Sequence, residues 1–196
     1  MNRIWKTHVI LGLLAAALSC SGQATNELRD AVVLIIRHAE KPESGKELTV
    51  EGEARAQAYV KYFGEFQLDG KPLKLDSLFA AHDSKNSNRP RLTLEPLAQA
   101  LKLPLDSSFK DKEPEKLAAE LQTKPHGKNI LVCWHHGGIP GLARALGADP
   151  ATLLPGGAWP DNVYGWVIEL RYDGEGRLIP GECKRINEHL MPKDVE

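Results

Sequence analysis

The chain has 196 residues, with 26 acidic and 25 basic side chains and a formal net charge of -1. Its 42% hydrophobic and 26% charged residues are those of an ordinary globular domain, which excludes a disordered polyelectrolyte, a collagen, a multi-span membrane protein and a disulfide-dense miniature scaffold. The balance of charge argues against a bulk nucleic-acid binder, which carries a large basic excess, and the length fits one domain with a sizeable core.

Residues 1–19 read as a secretory signal. Arg3 and Lys6 give a positive start, and an apolar run from Val9 to Leu18 follows, broken only by Gly12. That run is too short to span the ~30 Å hydrocarbon core of a bilayer. The stretch Ala17-Leu18-Ser19-Cys20 resembles a lipoprotein processing site in which Cys20 becomes the lipidated N-terminus; secretory cleavage after Ser19 or Ala24 is the competing reading. The expected organisation is a signal peptide over 1–19, a tether over 20–28 and a single domain over 29–196. The protein is then exported, either periplasmic or held to a membrane only by its lipid. Cys133 and Cys183 have the composition for one disulfide, but Cys133 lies in an apolar run and reads as a buried thiol.

Along the domain, Ala31 to Ile36 is a continuous β-branched run that suits a strand buried on both faces. Thr49 caps an expected helix from Val50 to Phe63. Ser77 to Ala81 reads as a second strand, and Pro90 opens a helix through Leu101. Pro114 opens another helix to Leu121. Asn129 to Trp134 is a further buried strand, Ile139 to Leu146 a short helix stopped by Gly147, and Val163 to Leu170 a strand before an Asp173-Gly174 turn. Strands alternating with helices imply an α/β three-layer sandwich around a mostly parallel sheet. The charged, proline-interrupted stretch from Lys102 to Lys128 reads as a surface insertion or lid.

Two features sit where open α/β sheets bind ligands, at the carboxyl ends of strands. Arg37-His38 follows the first strand, and His135-His136-Gly137-Gly138 follows the 129–134 strand. Arg89 opens the intervening helix. Two guanidinium forks with two or more imidazoles suit an anion, and phosphate oxygens above all. Gly137 and Gly138 let backbone N–H groups approach. A neutral imidazole is a competent nucleophile at phosphorus, and the surrounding cations stabilise its transition state. Adjacent histidines in an extended segment point opposite ways, and no carboxylate or cysteine sits at zinc spacing, so no metal is expected.

Arg37-His38-Ala39-Glu40 after an apolar strand resembles the signature of the histidine phosphatase superfamily, the phosphoglycerate-mutase-like proteins, with Ala39 where Gly is usual. Arg89-Pro90-Arg91-Leu92-Thr93 resembles the family's second motif, and His136-Gly137-Gly138 its third. The three occur in family order over residues 30 to 170. The resemblance implies a phosphoglycerate-mutase-like fold and phosphate monoester hydrolysis through a phosphohistidine on His38. Arg37 and Arg89 are then the phosphate-binding cations. His136 completes the pocket, being preferred to His135 because it directly precedes Gly, as Arg89 is preferred to Arg91 for its spacing to Thr93. No cofactor is implied, and the partner is a small phosphorylated substrate.

The leaving-group acid is open among Glu40, Asp106, Asp111, Glu113 and Glu115. Lys110, Asp111, Lys112 and Glu113 otherwise read as a solvated charge run, and Trp159, Asp161 and Asn162 as residues near the same sheet edge. Two other readings stand beside hydrolysis: a mutase or phosphotransferase, and a non-catalytic phosphate-binding module on the same fold.

Overall fold

A computed structural model describes residues 26–194. The signal-peptide and lipidation readings, Cys20 included, lie outside the described residues. Leu28 is fully buried, and the Asn26 side chain donates to the Gly176 carbonyl at 2.7 Å. The packed domain therefore reaches into the stretch expected to be a tether.

In chain order the elements are β1 (Val32–Arg37), α1 (Val50–Gly64), β2 (Gln67–Leu68), β3 (Lys71–Pro72), β4 (Ser77–Ala80), α2 (Arg89–Leu101), β5 (Leu105–Asp106), α3 (Pro114–Thr123), β6 (Asn129–Trp134), α4 (Ile139–Ala145), α5 (Pro150–Leu153), β7 (Trp166–Arg171) and β8 (Lys184–Asn187). Six strands form one sheet in the order β5-β4-β6-β1-β7-β8, and β2 pairs with β3 in a separate hairpin. The neighbours β5, β4, β6 and β1 run parallel; β7 is antiparallel to β1 and to β8. The sheet is mostly parallel, as expected.

Alternation along β1 builds both cores at once. Leu34 and Ile36 pack with Tyr59 and Phe63 of α1 and Leu94 and Leu97 of α2. Val33 and Ile35 face the other way, into the cluster holding Leu117 of α3 and Leu142 of α4. Every residue of β1 is buried, so its register is fixed from both sides. Arg37, its last residue, is thereby held at the sheet's carboxyl edge.

Helix α1 starts where Thr49 Oγ1 accepts from the Gly52 amide at 3.0 Å, with Glu51 and Glu53 at the positive end of the helix dipole. Gly52 is required there, because a Cβ would stand 2.6 Å from the Glu40 carbonyl oxygen. The helix thus fits directly against the loop that follows β1.

Two expectations are corrected. The 102–128 stretch is not an insertion or lid: it supplies edge strand β5 and helix α3, whose Leu117, Ala118 and Leu121 are buried in the core. Strand β7 begins at Trp166, not Val163. The Val163 carbonyl accepts from Arg37 Nη1 and Trp159 Nε1, so this backbone serves side chains instead of a strand ladder. Cys133 and Cys183 are both free. Burial pushes the Cys133 thiol up.

A buried ionic cluster ties the C-terminal segment to α1. Arg55 contacts Glu40 (2.7 Å), Glu188 (3.2 Å) and Asp194 (2.5 Å), and the Tyr59 hydroxyl donates to Glu188 at 3.0 Å. One guanidinium faces three carboxylates, so two carboxylates are in excess of its single charge. Burial pushes Glu188 up to about 8 against the pull of Arg55 and Tyr59. Asp194, though burial opposes it, is held low by Arg55 and the Met191 amide. A carboxyl whose folded pKa lies above its unfolded value of about 4.3 contributes stability at low pH. That contribution is lost as pH rises through about 8. The urea midpoint should accordingly fall between about pH 7, where the unfolded histidines have already lost their protons, and about pH 9, and Glu188→Gln, which keeps an acceptor for Tyr59, should flatten that fall. An unchanged pH dependence in the variant contradicts the assignment.

Candidate active site

The parallel strands β1, β4, β5 and β6 deliver their following loops to one edge of the sheet, the place where such sheets bind ligands. Arg37 is completely buried there. Its Nη1 donates to the carbonyls of Pro160 (3.2 Å), Asp161 (2.7 Å) and Val163 (2.8 Å). Its Cζ lies 3.9 Å from the centroid of the Tyr164 ring. Nε and Nη2 have no partner. A buried cation with two unsatisfied donors is costly unless an anion arrives to meet them. Burial and the nearby Arg89 both push against its charge.

His38 follows at only 2% exposure. Its Nδ1 lies 2.7 Å from the Ala39 carbonyl oxygen, which can only accept, so Nδ1 carries the hydrogen. Nε2 then bears the lone pair. Burial pushes His38 down to about 2, with His135, Arg37 and Arg89 adding to the effect. The imidazole is neutral throughout the physiological range.

The loop is held by Thr93, fully buried in the first turns of α2. Its Oγ1 accepts from the Ala39 amide at 2.9 Å and donates to the Arg89 carbonyl at 2.8 Å. One hydroxyl therefore joins the residue after the imidazole to the helix turn that carries Arg89. Arg89 Nη1 donates to the Gly45 carbonyl at 3.0 Å, and its Nε is buried without a partner. Arg91 points elsewhere, to Asp83 at 2.9 Å and Glu95 at 3.4 Å.

Both histidines after β6 line the cavity described below. The His135 ring stands edge-on to His38 with centroids 5.0 Å apart, and burial pushes it down to about 4. His136 pairs through Nε2 with Asp161, on the loop whose carbonyls hold Arg37. His135 comes directly off the strand and takes the position beside His38, while His136 braces the Arg37 loop. The Nδ1 of His136 is itself buried and unpartnered.

Glu40 is also relocated. Both of its oxygens accept from Arg55, at 2.7 to 3.2 Å, so it is an ion-pair acceptor in the C-terminal cluster and not a free acid. Asp106 accepts from the Ser108 amide, Glu113 pairs with Lys116, and Glu115 is exposed in the first turn of α3. Asp111 differs from all of these. It lines a cavity of about 610 Å³ together with Arg89, His135 and His136. Its Oδ1 is buried and unpartnered, and burial raises its pKa against the opposing charge of Lys112. Gly138 makes room for it, since a Cβ there would lie 2.7 Å from that oxygen. His38 adjoins this cavity through His135, whose ring it contacts. Trp159 is structural: it is buried, donates to the Val163 carbonyl and packs on Trp166 at 5.5 Å.

No protein-family model matches this sequence, and no curated protein matches it. Solved structures do. The phosphoglycerate mutase of Plasmodium falciparum superposes with a TM-score of 0.56 at 19% identity, covering 85% of this chain and 97% of that one. The chain has the phosphoglycerate-mutase-like fold. The alpha-ribazole phosphatase of Shigella flexneri is similar at a TM-score of 0.50 and 14% identity, over 80% of this chain and 99% of that one. A histidine-to-alanine variant of the Entamoeba histolytica phosphoserine phosphatase, solved with phosphoserine, has a TM-score of 0.50 at 13% identity, over 76% and 94%. These neighbours are members of the histidine phosphatase superfamily.

The geometry predicts which histidine feels a bound anion. His135→Ala should weaken inorganic phosphate binding, measured by calorimetry, by about tenfold or more, the scale of a lost charge-assisted contact. His136→Ala should weaken it severalfold less. Equal losses would contradict the placement of His135 beside His38.

Proposed function

We propose that the protein hydrolyses phosphate monoesters through a phosphohistidine formed on His38. The observation that carries this reading is the tautomer lock: Nδ1 is committed to the Ala39 carbonyl, which leaves Nε2 unprotonated, and Arg37 and Arg89, both with unsatisfied donors, are near enough to act on the ring. The histidine phosphatase superfamily membership of the fold neighbours supports it.

In the first half-reaction the free Nη2 and Nε of Arg37, Nε of Arg89 and a ring N–H of neutral His135 hold the non-bridging oxygens. Their charge is placed before reaction occurs, which is how such groups lower the barrier. The Nε2 lone pair of His38 forms the N–P bond as the ester P–O bond breaks, and the leaving alkoxide takes the proton of Asp111. In the second, water attacks phosphorus, its proton passes to the Asp111 carboxylate, the N–P bond breaks and inorganic phosphate leaves. Asp111 suits both steps because burial raises its pKa and its Oδ1 has no competing partner.

Purified protein should release phosphate from an alkyl phosphate, and His38→Ala should lower the rate at least about a thousandfold. Activity surviving in that variant would overturn the mechanism. The pH dependence follows from the two shifts. The nucleophile stays unprotonated above about 2, so it sets no limb near neutrality. The acid must be protonated, so activity on alkyl phosphates should fall as pH rises through the raised value of Asp111. Asp111→Asn should remove that limb and cost about a hundredfold or more on alkyl phosphates. In the phosphorylation step itself, followed as the burst of released alcohol, it should cost far less on an aryl phosphate, whose leaving group needs no proton. Equal losses on both esters would remove Asp111 from this role.

A further inference from the structure

The cavity beyond His135 carries more positive charge than one phosphoryl group uses. Arg37 and Arg89 supply the cations that meet the transferred group. Three lysines line the cavity together with Arg89: Lys85 from the loop after β4, and Lys110 and Lys112 from the loop after β5. All three are exposed, and among the described residues none is in an ion pair at contact distance, though Lys110 and Lys112 act at longer range on Glu113 and Asp111.

The acids nearby do not cancel them. Asp83 and Asp111 are the carboxylates on this wall. Asp83 is paired with Arg91, and Asp111 is shifted toward its neutral form by burial. Glu113 is paired with Lys116, and Asp106 accepts from the Ser108 amide. Glu47 acts on Arg89.

The loops are also fixed in place. His82 donates its amide to the Phe109 carbonyl at 2.7 Å, and its Nδ1 lies 2.8 Å from the Ser107 carbonyl, joining the two lysine-bearing loops. The Ser84–Ser87 turn closes through reciprocal backbone bonds of 2.8 and 3.4 Å and presents Lys85 at its tip. The Lys110 carbonyl accepts from the Glu113 amide at 2.9 Å. Ordering these loops on binding therefore costs little.

We propose that Lys85, Lys110 and Lys112 form a second anion subsite, and that the substrate is a small phosphate monoester whose alcohol portion carries a further carboxylate or phosphate. This rests on the phosphatase reading of the His38 site. The cavity volume of about 610 Å³ suits a small molecule. Exposed lysines act as screened point charges, so the preference should weaken in salt.

Calorimetry with non-hydrolysable ligands separates the subsite from the chemistry. The ligands are propylphosphonate, its carboxylate-ended analogue phosphonopropionate, and propane bisphosphonate. The wild-type protein should bind one or both dianchored ligands about tenfold tighter than propylphosphonate at low salt, and the better of the two identifies the second group. Substituting all three lysines by Gln should reduce that ratio to about twofold or less. A wild-type ratio near unity, or a ratio retained in the variant, would overturn the subsite. Loss of hydrolysis in all forms with the binding ratio intact would instead overturn the phosphatase reading alone.

Discussion

Everything at the sheet edge depends on one buried guanidinium that is only partly satisfied. Arg37 ends a strand whose six residues are all buried, so it cannot turn out to water. Three backbone carbonyls hold Nη1, a tyrosine ring covers its face, and two donor nitrogens are left without partners. Such an arrangement is stable only because the rest of the fold fixes it, and it is useful only if an anion completes it. The same positive charge, with burial, keeps the neighbouring imidazole neutral.

The loops that build the site are not independent. Thr93 ties the residue after His38 to the turn of Arg89. Glu40, two residues beyond His38, is held by Arg55, which also holds Asp194 near the C-terminus. Asp194 packs against Gly165, where a Cβ would approach its carboxylate within 2.5 Å, and Gly165 adjoins the Tyr164 that covers Arg37. The C-terminal segment thus touches both walls of the site while contributing no group to its chemistry. Glu40 belongs to this support.

Much of the fold was legible because its central strands are buried on both faces. Runs such as Ile130 to Trp134 have few alternatives to a parallel-sheet core. Strands β2, β3 and β5 were not legible, since two residues carry no periodicity. Strand β7 was read as starting early because Val163 and Tyr164 have strand-like side chains; the carbonyl that Arg37 takes from that backbone has no signature in sequence. Arg37, His38 and Arg89 were found from their places at strand and helix ends, and the structure brings them together. Adjacency to Gly137 points to His136, which lines the cavity; that His135 also stands beside His38 is set by where β6 ends and has no linear signature. Asp111 was one of five carboxylates until burial and the loss of partners set it apart. Lys110 and Lys112 looked like a solvated run, and only the convergence of two loops places them on the cavity wall.

The central claim is that an unprotonated His38 Nε2 becomes covalently attached to phosphorus. Rapid quenching of the protein with a radiolabelled aryl phosphate, followed by peptide mapping, tests it most directly. The account predicts label on the peptide containing His38, stable in base and lost in mild acid, as a phosphoramidate bond behaves. It also predicts accumulation of that label when Asp111→Asn slows the water step. An acid-stable label, or label on a peptide lacking His38, would contradict it.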